Sequence, residues 1–93
     1  MVDDTRKAEL LQHLSALRTE LDKLARTAGD RAKTIAGFAE LSAHEATSAE
    51  PHPELIRLSV KGLRKSVEQF EDTHPRLVEV VGQLSAVLSN LGL

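Results

Sequence analysis

Along residues 10–28, apolar side chains recur at Leu10, Leu14, Leu17, Leu21, Leu24 and Ala28, in steps of 4, 3, 4, 3 and 4. Such alternation keeps one stripe on one face of a helix, and here it sets leucine at five successive seam positions. On the far side Arg18, Asp22 and Arg26 stand four apart, a spacing at which opposite charges support a helix by roughly 0.2–0.5 kcal/mol per pair. The spacing predicts a first helix over 4–28, with Asp3 or Asp4 as its N-cap. "AGD" at 28–30 predicts a reversal, with Gly29 left-handed at the close of one helix and Asp30 capping the next. A helix running on through Gly29 is the alternative, since an interior glycine costs only about 1 kcal/mol relative to alanine.

The next stripe, Ala32, Ile35, Phe38, Ala39, Leu41, Ala43 and Ala46, is made mostly of small residues. It predicts a helix near 31–47 that approaches its neighbours closely and buries little. "ATSAEPHP" at 46–53 gathers Ser, Thr and two prolines, a breaker composition, and is the expected linker. Regular spacing then returns at Ile56, Val60, Leu63, Val67 and Phe70, and again at Leu77, Val81, Leu84, Leu88 and Leu91. Counting position 74, the two frames join without a slip, which argues for one helix kinked at Pro75. Against this, an interior proline costs about 3 kcal/mol and drives the residue before it out of the helical region. Proline is favoured in a first turn, Asp72 and Thr73 are good capping residues, and "HPEL" at 52–55 has nearly the same form as "HPRL" at 74–77. The chain is therefore expected to break at 72–74. The predicted fold is all-α: one domain over 1–93, a small bundle of about four amphipathic helices near 4–28, 31–47, 53–71 and 75–91.

The segment "HPELIRLSVKGLRKSVEQFEDTHPRLVEVVGQLSAVLSNLGL" resembles the small bacterial proteins grouped as domain-of-unknown-function family 4404. The resemblance rests on Phe70, Glu71, His74, Pro75 and Leu77, then Leu88, Ser89, Asn90, Leu91, Gly92 and Leu93. Ser89, Leu91 and Leu93 depart mildly from the family's ending. The resemblance implies a helical protein and brings no activity with it.

Composition narrows the classes. The chain of 93 residues is 41% hydrophobic and 28% charged, too apolar for disorder. It has no run of the 18 or so apolar residues a membrane span needs. The acidic "MVDDTRKAEL" is unlike a secretory signal, and a cytoplasmic location is the expectation. With no cysteine, thiolate metal sites and thiol nucleophiles are excluded, and a net charge of −2 gives no bulk attraction to nucleic acid or anionic lipid.

Candidate chemistry is sparse. His44, His52 and His74 lie near Glu45, Glu50, Glu54 and Glu71, but no two histidines stand four apart and two precede prolines. They are expected to cap or face solvent, His13 is expected at the edge of the seam, and neither metal nor other cofactor is expected. Arg57, Lys61, Arg64 and Lys65 fall within about a quarter of the third helix's circumference, a patch able to neutralise phosphates. Glu68, Glu71 and Asp72 follow on the same face and oppose it. No phosphate loop, serine elbow or pocketed carboxylate pair is evident, so no enzyme is expected. The expected role is a self-associating helical interaction or scaffold protein, most simply a dimer, with another protein docking on a helix face. The alternative is nucleic-acid association through the basic stripe. Two heptad seams, widened at Val78, Val80 and Val87, face a second helix that offers mostly alanine, and that mismatch is what predicts a dimer packed seam to seam.

Overall fold

Pro75 is the first residue of a helix, not a kink inside one. In the computed structural model, which describes residues 4–91, the chain forms α1 (Asp4–Leu24), α2 (Gly29–Ala46), α3 (Pro53–Val67) and α4 (Pro75–Leu91). A 3-10 turn, Glu68–Phe70, tightens the end of α3 where the pattern alone predicted regular helix to 71. No strand occurs among the described residues, and the fold is the expected small all-α bundle. Among the described residues no helix is long and apolar enough to cross a membrane.

At the break, the His74 amide donates to the Phe70 carbonyl at 2.7 Å. The His74 carbonyl in turn accepts the Leu77 and Val78 amides at 3.1 and 3.4 Å. His74 thus closes one turn and opens the next, and Pro75 sits where a helix needs no amide donor. The His74 ring meets the Phe70 ring edge-on with centroids 5.8 Å apart. His52 and Pro53 repeat the device: His52 is extended, its carbonyl accepts the Ile56 amide at 3.1 Å, and Pro53 follows in the first turn.

The first reversal differs from its prediction. α1 stops at Leu24, the next residues wind into tighter turns, and Ala28 supplies the change of direction with φ −145° and ψ 64°. Gly29 therefore has no positive φ and is the first residue of α2. Asp30 lies inside that first turn, where its charge suits the helix dipole, and makes no capping bond. Asp4 opens α1, while Asp3, the other N-cap candidate, lies outside the described residues.

Each helix packs on the next in sequence and α4 returns to α1, closing a ring, with α2 and α4 also touching. Short connections make successive helices antiparallel. The seams fill the interior: Leu10, Leu17, Leu21, Leu24, Ile56, Leu63, Leu77, Val81, Leu84 and Leu88 are buried, and Leu14, Phe70 and Leu91 are half-buried against them. Val80, expected on the outer edge of a widened arc, is buried too, because α4 is gripped from several sides. Leu41 departs from the expected stripe of α2 and is 55% exposed.

The tightest packing is between α2 and α3. A Cβ on Gly62 would lie 2.5 Å from the Phe38 ring, so the aromatic seats directly on glycine backbone. Ser42 and Ser59 are buried and return their hydroxyls to the Phe38 and Leu55 carbonyls at 2.7 and 2.8 Å, so neither leaves an unpaired group. Ser85 on α4 is also buried, but its hydroxyl bonds to no described residue. An unpaired buried hydroxyl costs about 1–3 kcal/mol, and alanine is the better helix former. Ser85→Ala is therefore expected to stabilise the protein by about 1 kcal/mol, raising the melting temperature by roughly 4–8 °C. Urea titration should show a higher midpoint at unchanged slope, and a lower midpoint would contradict this packing.

Candidate interaction surfaces

The four cations picked out in the sequence do converge. Arg57, Lys61, Arg64 and Lys65 all border one groove of about 470 Å³ along the outside of α3. Ile56 and Val60 form its apolar floor, Pro53 and Glu68 mark its two ends, and Ser89 of α4 lies across from them. Arg57 pairs with Glu54 at 2.9 Å, with both side chains well exposed, so the pair adds little stability. Lys61, Arg64, Lys65 and Glu68 form no ion pair among the described residues.

A second groove, of about 450 Å³, opens between α1 and α2. Leu14, Leu17 and Leu21 border it from α1, and Ala32, Ala36, Ala39 and Ala43 from α2. Its cause is the mismatch in the sequence: leucines on one wall face methyl groups on the other, and the space between them is not filled. Arg18 and Asp22 edge the α1 wall, Lys33 and Glu40 the α2 wall. The four-residue spacing of Arg18, Asp22 and Arg26 does not close into ion pairs; on this helix Lys23 bridges to Glu20 at 3.3 Å instead. All four edge charges of the groove are unpaired among the described residues.

A third surface was not anticipated. Leu41, Leu55 and Leu58, each more than half exposed, surround a recess floored by Phe38 and Ser59. The signal was present, since Leu55 and Leu58 each stand one residue off the buried stripe of α3 and so point away from the core. Such residues fall outside the periodic inward stripe.

The histidines are dispersed. His44 and His52 are exposed, and His13 and His74 are half-buried. Among the described residues no three His, Cys, Asp or Glu side chains gather as a metal-binding group. His52 works with Glu45 across the loop between α2 and α3: one carboxylate oxygen takes the His52 backbone amide at 2.9 Å and lies 2.7 Å from its ring Nδ1. The Thr73 hydroxyl and His74 Nδ1 are 3.0 Å apart at the other proline turn.

The chain belongs to the family described as Domain of unknown function (DUF4404), whose model matches residues 8–93. No curated protein and no solved structure matches it.

The two hydrogen bonds from His52 hold the Glu45 carboxyl below the usual carboxylate range. A carboxyl whose pKa is lowered by folding stabilises the native state above its unfolded pKa, and that contribution is lost as pH falls through the folded value. Glu45→Gln is therefore expected to flatten the acid limb of the stability curve below the usual carboxylate range, as read by urea midpoints at a series of pH values. Identical acid limbs for the two proteins would show that the clamp does not form.

Proposed function

We propose that this chain is a non-enzymatic helical interaction protein that associates with a second copy of itself through the α1–α2 groove. The observation that carries this reading is the groove itself. Leucine and alanine line most of its walls, a chemistry suited to packing. Each wall carries one cation and one anion, all unpaired among the described residues. A two-fold copy that lays its α1 over the partner's α2 brings Arg18 to the partner's Glu40 and Asp22 to the partner's Lys33. The same patch then serves both molecules, as an isologous interface requires. Leu14, half-buried in the single chain, becomes fully covered.

A second reading, nucleic-acid association, is favoured by the convergence of Arg57, Lys61, Arg64 and Lys65 on one groove. Against it stand the apolar floor, Glu68 at one end, and the net charge of −2.

Light scattering coupled to size exclusion is expected to give at least twice the 10.2 kDa chain mass, with a melting temperature that rises with protein concentration. Ala36→Glu places a carboxylate in the groove without entering the core, because Ala36 is only half-buried. It is expected to give the single-chain mass with unchanged helical content. A single-chain mass for the wild type at high micromolar concentration, with a concentration-independent melting point, would refute the self-association.

A further inference from the structure

We infer that the groove along α3 is a docking site for an acidic amphipathic helix of another protein. The groove's charge and shape point to this occupant. Lys61, Arg64 and Lys65 are cations without partners among the described residues, gathered on one groove of a chain whose net charge is negative. Three like charges held this close repel one another, and an anionic partner relieves that repulsion.

The floor decides which anion. Ile56 and Val60 line the groove beside the cations, buried except for the edges that reach its surface, so the site is apolar at its base and basic along its edge. Phosphates gain nothing from an apolar floor, and a nucleic acid following α3 would meet Glu68 and then the exposed Glu71 and Asp72. An amphipathic helix satisfies both parts: its apolar stripe covers the floor while carboxylates on its flank reach the cations. The groove runs from Pro53 to Glu68, which at 1.5 Å per residue is about 22 Å, or roughly four turns of a partner helix. Glu68 sets the polarity, because the partner residue that reaches it must be neutral or basic. The partner is thus a helix of about four turns with an apolar stripe and acidic residues concentrated opposite Arg57 to Lys65. This site lies on α3 and is separate from the α1–α2 groove.

The test uses a fluorescein-labelled synthetic peptide of about 16 residues, with leucine at helical spacing on one face and glutamate along one flank, read by fluorescence anisotropy. Two controls accompany it: a scrambled peptide of identical composition, and a labelled DNA duplex of similar length. The wild-type protein is expected to bind the amphipathic peptide at least about tenfold more tightly than the scrambled peptide or the duplex. The double variant Lys61→Glu, Arg64→Glu, altered only at exposed positions, is expected to bind the peptide at least about tenfold more weakly, with unchanged mass and helical content. No binding up to about 1 mM, equal binding of the scrambled peptide, or equal binding by the double variant each overturns the inference. Tighter binding of the duplex overturns it in favour of nucleic acid. The mass measurement for self-association is independent of all these outcomes.

Discussion

The missing amide of Pro75 is the constraint from which the bundle follows. Without a proton to donate and with a ring that clashes one turn back, the chain cannot continue α3 into α4 at ordinary cost. It tightens through Glu68–Phe70, turns, and restarts. The reversal folds two collinear apolar stripes against each other: Ile56, Val60, Leu63 and Val67 of α3 now share one interior with Leu77, Val81, Leu84 and Leu88 of α4. A continuous helix would display both stripes along one rod and require another chain to cover them. The break lets one chain bury its own seams, so α1 needs only to close the ring.

Small residues on α2 then divide the surface unequally. Toward α3 they permit close approach, with Phe38 seated on Gly62 and the hydroxyls of Ser42 and Ser59 turned back onto their own helices. Toward α1 the same economy of volume leaves the alanine-walled groove. One helix is therefore glued on one side and open on the other. The grooves are consequences of packing, with Leu41, Leu55 and Leu58 left outside because they stand off the inward stripes.

Much of this was legible in the sequence because it is local. Heptad spacing, the two His-Pro starts and the Ser/Pro-rich breaker each act within a few residues, and helix type and number follow from them. What was not legible depends on partners far apart in sequence. Spacing shows that Leu10 to Leu24 form a seam, but the seam-to-seam dimer expected from it is not how the seam is covered: Leu10, Leu17, Leu21 and Leu24 are buried within their own chain. Gly29 does not carry the reversal, because Ala28, an ordinary L-residue, takes up the change of direction in a region that needs no glycine. The Glu45–His52 clamp spans seven positions and exists only because the loop brings α2 and α3 into register. The convergence of the cations on one groove was half visible: their shared face was in the spacing, whereas the floor and the opposing Ser89 came with the fold.

The closed hairpin at Pro75 is tested most directly by a distance. The chain has no native cysteine, so Arg57→Cys and Ser89→Cys give two unique spin-label sites on opposite walls of the α3 groove. Measured by pulsed electron–electron resonance, with labelled protein diluted into unlabelled protein so that only pairs within one chain contribute, the separation is expected to fall well inside the 38 Å length of the whole molecule. A distance near 48 Å, which is about what an unbroken helix over the intervening 32 residues spans, would contradict the break and the bundle built on it.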